Sequence, residues 1–463
     1  SAQNKLHLAH QAPPFGPPSK RKWGLMALEA RMRGLIPVLP TAPDASHIVA
    51  PQSMYPFLLA ARAQSHPLLV VTSSSRSSED LVNELRELYD NVLEFPAWET
   101  LPHERLSPRS DTVAKRIQTL YALQNKQIIN PIVVTPVRGA IHRIISNLGQ
   151  MPLMKLEIGK EQSLDLLVRH LSSLAYSRTD LVERRGEFAV RGGIVDLFLP
   201  LSNHPIRIDF FGDEIEDLSY FEVADQRTFS PVVGSVEIYP CREMLLTPEV
   251  KHRAIEVKDT YPAAAEMLEK ISAGIAFEGM ESLIPLLIDE TETLLSRMPA
   301  NTQIVFIDEQ RIRSRAADLL ATNEEFLNAS WSNAALGGIA PLHDGAGTYI
   351  SWDELKDEII STAVTTAELS PFGTDLEQDT LFLEYAPIDP MRGDIDRTVE
   401  VLRQGLEENR IVIFATHGHG MLERYAGIFR GADLPVQIIE NLTAVPTKGS
   451  IYLTTSIITH GFE

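Results

Sequence analysis

Cys241 is the only cysteine in this 463-residue chain. That excludes an internal disulfide framework and a cysteine-cluster metal site, and it fits a reducing compartment. Cations are scarce as well: 42 Lys plus Arg stand against 62 Asp plus Glu, a net charge of −20. A protein that coats duplex DNA must neutralise phosphates, so this balance argues against one and leaves room only for a local basic patch. No apolar run reaches the roughly 18 residues of a transmembrane helix. Residues 1–23 are Pro-rich and polar, end in Lys20-Arg21-Lys22 and lack an apolar h-region, so they do not read as a signal peptide. G-x-S-x-G, H-E-x-x-H and C-x-x-C are absent, and no repeat of 20–50 residues is visible.

What is present has the size of roughly three or four domains. From Gly34 to Leu153, aliphatic runs at His47–Ala50, Leu68–Thr72, Val92–Phe95 and Ile132–Thr135 alternate with helical periodicity at Asp80–Leu88 and Thr112–Leu123. This is the β-α-β pattern of a parallel sheet covered by helices. Residues 154–239 differ. A helix with Leu164, Leu167, Leu171 and Leu174 on one stripe precedes strands at Glu187–Arg191, Ile194–Phe198, Ile206–Phe211 and Glu214–Phe221, with Gly212-Asp213 marking a tight hairpin. The pattern predicts a small α+β insert. The α/β pattern returns over 240–365, with a buried strand at Gln303–Ile307. The polar, acidic stretch 366–380 reads as a linker and 381–463 as a small separate α/β domain, while 1–33 reads as a disordered leader or tag. The strand expected at Ile451–Thr455 lies close to the last residue, which suggests a fragment of a longer protein.

A phosphate cradle needs a glycine-rich turn between strand and helix, with a lysine and a hydroxyl. The first strand is followed by Pro51, Gln52, Ser53 and Met54 and then a helix. The position suits a P-loop, but the glycines and the lysine are missing, so this place should neither bind nor hydrolyse ATP. Asp308 and Glu309, after an apolar strand, occupy the place of a Mg²⁺-holding acidic tip; paired with an empty P-loop position they read as a relic. Gly418 and Gly420 read as a strand-to-helix turn, and His417 and His419 lack a third metal ligand nearby. No catalytic residue, metal ligand or cofactor is assigned.

Alternation along Ile206–Phe211 puts Ile206, Ile208 and Phe210 on one face and Arg207, Asp209 and Phe211 on the other, with Arg191 able to join the second. Exposed arginine beside an aromatic is the composition of a binding hot spot. The competing reading is structural: an edge ion pair of Arg207 with Asp209, Arg191 with a nearby acid, and Phe211 tucked under a loop.

Three strings resemble a known family. They are Phe95-Pro96-Ala97-Trp98-Glu99-Thr100-Leu101-Pro102 with Leu106-Ser107-Pro108-Arg109-Ser110-Asp111, then Arg185-Gly186-Glu187-Phe188-Ala189-Val190-Arg191-Gly192-Gly193-Ile194-Val195-Asp196-Leu197-Phe198 followed by Arg207-Ile208-Asp209-Phe210-Phe211-Gly212-Asp213-Glu214, and Phe277-Glu278-Gly279-Met280-Glu281. Together they look like the N-terminal part of the bacterial transcription-repair coupling factors (Mfd). The resemblance implies a degenerate, P-loop-helicase-like parallel-sheet domain similar to UvrB, interrupted by a UvrA-binding insert and followed by a small domain. It implies Arg191, Arg207 and Phe211 as the UvrA-docking residues, and Pro51 to Met54 with Asp308 and Glu309 as a vestigial nucleotide site. The connection from Trp98 to Ser107 is too short for the long aromatic DNA-gripping hairpin of UvrB. On this reading the chain recruits UvrA of nucleotide excision repair to stalled RNA polymerase by mimicking UvrB, with no ATPase activity of its own. ATP, Mg²⁺, DNA and RNA polymerase would be bound by other domains of an ATP-dependent DNA translocase, whose C-terminal regulatory domain would cover the docking patch. A bacterial cytoplasmic location, without membrane contact, goes with it. Arg191→Ala or Arg207→Ala should then weaken UvrA binding at least tenfold and leave the melting temperature nearly unchanged. The alternative reading is a DNA-gripping accessory module.

Overall fold

The computed structural model describes residues 31–38, 45–101, 106–125, 128–335, 348–373, 380–383, 385, 387–388, 393–458 and 461–462. The expected leader over 1–30, residues 374–379 of the expected linker and 102–105 of the short connection lie outside these. Two compact units are present, one made essentially of the insert and the other of the rest of the chain.

The chain opens the larger unit with strands β1 (His47–Val49), β2 (Leu68–Thr72), β3 (Val92–Glu94) and β4 (Ile132–Pro136). Helices α1 (Tyr55–Arg62), α2 (Ser75–Leu88) and α3 (Ser110–Gln124) lie between them in sequence. Ser74 Oγ accepts the Ser77 amide to start α2, and Leu81, Val82, Leu85 and Leu88 are buried along one helical stripe. Leu68–Val71 of β2 and Ile132–Val134 of β4 are unbroken aliphatic runs because both strands are buried along their whole lengths.

The insert carries a six-stranded antiparallel meander. Its four central strands are β5 (Glu187–Arg191), β6 (Ile194–Leu197), β7 (Ile206–Phe211) and β8 (Glu214–Phe221). The two-residue loops Gly192-Gly193 and Gly212-Asp213 close the β5–β6 and β7–β8 hairpins. Gly192 and Gly212 hold φ of +62° and +65°, which a Cβ would strain in a hairpin turn of this kind.

The chain then completes the first sheet with β9 (Gln303–Ile307), β10 (Thr365–Ser370) and β11 (Thr380–Phe382). The result is seven parallel strands in the order β11-β1-β10-β9-β2-β4-β3. The mixed α/β class with a large parallel sheet, suited to a helicase-like domain, agrees with the sequence. The linker does not. Residues 365–370 form an inner strand of the sheet, and 380–382 form its edge. Only Ala367 and Leu369 of β10 span the core, while Thr365 and Thr366 start it in solvent and Ser370 ends it on His47 Nε2 at 2.9 Å. A strand with two apolar residues among four polar ones has the composition of a loop.

The small domain has its own parallel sheet of β12 (Ile411–Thr416), β13 (Val436–Ile438) and β14 (Ser450–Thr455), in the order β12-β14-β13. Helices α4 (Ile395–Glu407) and α5 (His419–Gly431) complete it. Leu402, Leu422, Phe429 and Leu453 belong to one core cluster, whereas Leu442 and Tyr452 belong to the core of the first sheet. Residues 31–35, of which the sequence placed 31–33 in the leader, run between the two. The Met32 amide donates to Glu87 O at 2.7 Å and the Gly34 amide to Leu442 O at 2.9 Å, and Arg31 reaches Glu440 O and Thr455 Oγ1. A Cβ on Gly34 would lie 2.2 Å from Ala444 O, so only glycine passes there.

Candidate functional site

Register fixes which side chains share a face of the insert. One row across the sheet is Ala189–Asp196–Arg207–Ser219, and the row nearest the hairpin tips is Arg191–Ile194–Asp209–Asp217. Directly paired residues in an antiparallel sheet point the same way, and rows two apart share a face. Arg191 and Arg207 therefore lie on one face, and alternation along β7 adds Phe211. The opposite face presents Phe188, Val195, Ile206, Ile208 and Leu218, all fully buried. Glu216 is an extra residue on β8, because Asp209 pairs with Asp217 and Phe210 with Ile215. Such a bulge increases local twist and re-aims side chains.

The three expected docking residues have different circumstances. Phe211 is 76 % exposed, so no loop covers it. Arg191 is exposed, with one guanidinium nitrogen on Asp180 O. Arg207 is committed: Nε and Nη2 donate to Asp196 Oδ1 and Oδ2 at 2.7 and 2.9 Å, and Nη1 donates to Gln226 O at 3.2 Å. Its guanidinium carbon stands 4.9 Å from the centre of the Phe221 ring. The hydrogen bonds that Asp196 accepts hold the Arg207 pKa above its ordinary value. Asp196 is 2 % exposed. The ion pair that the sequence allowed is thus real, but its acid is Asp196 across the strand pair rather than Asp209 along the strand. Sequence spacing shows i, i+2 neighbours, whereas register chooses the cross-strand partner. Arg207 is a strut, which also withdraws the expectation that Arg207→Ala would leave the melting temperature nearly unchanged.

The residues read as a vestigial nucleotide site lie at the C-terminal ends of β1 and β9, beside β10 in the parallel sheet, where ligands bind in open parallel sheets. Pro51 has no amide hydrogen, the Met54 amide donates to Pro51 O at 2.9 Å and the Tyr55 amide to Gln52 O. Met54 is fully buried and Tyr55 is 4 % exposed. Burial, with the charges of Asp308 and Glu368 added, raises the pKa of the Tyr55 hydroxyl well above its ordinary value. Asp308 adopts φ +62° and its Oδ1 accepts the Arg311 amide at 3.1 Å, which starts the helix Glu309–Ala335. The Glu309 carboxylate meets Lys356 Nζ at 2.6 Å, and its amide donates to Glu368 Oε1 at 2.9 Å. Both acids have structural employment, Pro51 offers no amide, and the amides of Met54 and Tyr55 are used in the turn. Among the described residues, no three His, Cys, Asp or Glu side chains are grouped as a metal ion requires. No described helix is long and apolar enough to cross a membrane.

Sequence reasoning missed Asp196 as the partner of Arg207, and the exposure of Ile194. Ile194 follows two glycines and reads as an ordinary strand residue, yet it is 37 % exposed. Its glycine-glycine turn was the available signal, because a two-residue hairpin fixes the register that puts Ile194 opposite Arg191.

Residues 154–244 match the UvrB interaction domain family. The transcription-repair-coupling factor of Mycobacterium tuberculosis (strain CDC 1551 / Oshkosh) is 36% identical over 423 residues, which are 86% of this chain and 34% of the relative. That of Escherichia coli (strain K12) is 28% identical over 424 residues, 88% of this chain and 35% of the relative. That of Myxococcus xanthus is 32% identical over 247 residues, 50% of this chain and 20% of the relative. The chain thus spans about a third of the length of the first two. With the UvrB interaction domain on the insert and the likeness running through most of its length, the chain belongs to the transcription-repair-coupling factor family.

Proposed function

We propose that this chain is the adaptor part of a transcription-repair coupling factor, docking UvrA through its insert and so bringing excision repair to a stalled RNA polymerase. The observation that carries this is the coincidence of the UvrB interaction domain match with an exposed sheet end bearing Arg191 and Phe211. Mimicry of UvrB needs only the docking surface, not UvrB's nucleotide chemistry. The glycine-free turn at 51–54 and the occupied acids Asp308 and Glu309 support an adaptor without ATPase activity of its own. ATP, Mg²⁺, DNA and RNA polymerase are then the business of other domains of the whole translocase. The chain works in the bacterial cytoplasm, where those partners are.

Titration calorimetry of the chain against UvrA, with and without ATP, tests the reading. Micromolar or tighter binding is expected, weakened at least tenfold by Phe211→Ala, since an exposed aromatic anchor carries about 2 kcal/mol or more of such an interface. No binding, with salt-sensitive DNA affinity instead, would overturn it in favour of a DNA-gripping module.

A further inference from the structure

Two of the three strings that carry the family likeness lie outside the insert, and they meet inside the larger unit. From the first, Trp98 Nε1 donates to Glu243 Oε1 at 2.9 Å, the Ser107 amide donates to Glu278 Oε1 at 2.9 Å, and the Ser107 hydroxyl donates to Glu281 Oε2. From the third, the Gly279 amide donates back to Ser107 Oγ at 2.8 Å. Arg242 Nη2 meets Glu278 Oε2 at 3.0 Å, and the buried Glu243 takes Arg116 Nε at 2.5 Å. Arg242 and Glu243 are thereby clamped just after the chain re-enters this unit at Tyr239.

The network is open at one place. Beside it is a cavity of about 30 Å³, whose wall includes His142, Glu281 and Thr348. Glu281 is buried, and its Oε1 has no hydrogen-bond partner among the described residues; nor has the buried Thr348 Oγ1. Arg242 Nε stands 3.8 Å from that Oε1, too far for a hydrogen bond. His142 accepts from Arg116 Nη2, 3.1 Å from its Nδ1, because a guanidinium can only donate. Burial, with the charges of Arg116 and Arg138 added, lowers the His142 pKa well below its ordinary value. The ring is therefore neutral and carries its proton on Nε2, for which no acceptor is shown among the described residues. One cavity wall thus holds a donor, a carboxylate acceptor and a hydroxyl that can act as either.

We infer that this cavity is a binding site for two water molecules, which link Glu281 Oε1, Thr348 Oγ1 and His142 Nε2 and complete the network that clamps the returning chain. A water needs about 10–15 Å³, so two fit. A buried polar atom left unpaired costs more than ordering the water that would serve it. An ion does not suit the site, because the wall sets Arg143 beside Glu243 and Glu281 and would meet either sign with a like charge. Nor is it a place that stays dry, since empty cavities are lined by apolar side chains.

High-resolution crystallography of the full chain, with a second crystal under xenon pressure, reads the site directly. Two ordered waters within about 2.7–3.2 Å of Glu281 Oε1, Thr348 Oγ1 and His142 Nε2 are expected, and no xenon. Xenon in the cavity, or no ordered solvent there, would overturn the inference. Thermal melts of Thr348→Val give an independent reading, because valine keeps the shape of threonine and loses only the hydroxyl. A hydroxyl that holds a water is lost at a cost, so the variant should melt at least about 2 °C below the parent. A hydroxyl without a partner is better replaced by a methyl, so a melt equal to or above that of the parent would also overturn the site.

Discussion

Truncating Arg207 to alanine should unfold the insert at a markedly lower temperature. The side chain is 21% exposed and that of Asp196 only 3%. Removing the guanidinium leaves Asp196, in the body of the sheet, with its fork partner gone. Breaking a fully buried pair this way costs about 3–5 kcal/mol. The water that reaches Arg207 screens part of the loss, which brings the expectation to about 2–3 kcal/mol. In a unit of 60–100 residues each kcal/mol moves the melting point by about 4–8 °C, so a fall of about 10–20 °C is expected for the insert's transition. Differential scanning calorimetry of the parent, Arg207→Ala, Asp196→Asn and the double variant reads both the fall and the coupling. The double variant should recover part of the loss, because it leaves no uncompensated charge. An Arg207→Ala melt within about 2 °C of the parent, or strictly additive single effects, would refute the strut.

Other predictions concern the larger unit. Burial pushes the Cys241 thiol up to about 12, so a thiol reagent near neutral pH should leave the native chain unlabelled and react only as denaturant opens it. Glu281 is buried and burial raises its carboxyl, against the opposing pull of Arg242 and Ser107. A carboxyl raised by folding contributes most below its unfolded value and loses that contribution as pH rises through the folded one. Glu281→Gln, whose amide does not ionise, should therefore gain on the parent in urea midpoint as pH rises above the unfolded carboxyl's value of about 4.3; a constant difference would count against it. Gly34→Val drives a side chain into Ala444 O, and hydrogen exchange should rise in residues 440–444 and in α2; unchanged protection would show that the 31–35 strap does not hold the small domain. Finally, a millimolar titration of ATP with Mg²⁺ should give no heat, and measurable binding at the turn 51–54, which lacks glycine and lysine, would contradict an adaptor without nucleotide chemistry of its own.

Much of the architecture follows from local pattern. Fully buried strands such as β2 and β4 are mostly aliphatic runs, and the glycine turn at 212–213 announces its hairpin. Two failures share a cause. Residues 366–370 looked like linker, and 31–33 like leader, because each is polar in composition and takes its place through partners far away in sequence: β10 between β1 and β9, and the strap between α2 and Leu442. Hydrophobic periodicity reports how a segment meets solvent, not which distant backbone it hydrogen-bonds.

The candidate site divides along the same line. Sequence alone determined that the turn after β1 has no glycine or lysine for phosphate. It also determined that Arg207, Asp209 and Phe211 share a face, because strand alternation is a property of the backbone. Only the tertiary structure decided what each residue on that face does. Pairing of β6 with β7 gave Arg207 to Asp196 and left Arg191, Ile194 and Phe211 to solvent, since the choice between an internal partner and an external one rests on register and burial, which no local stretch of residues contains.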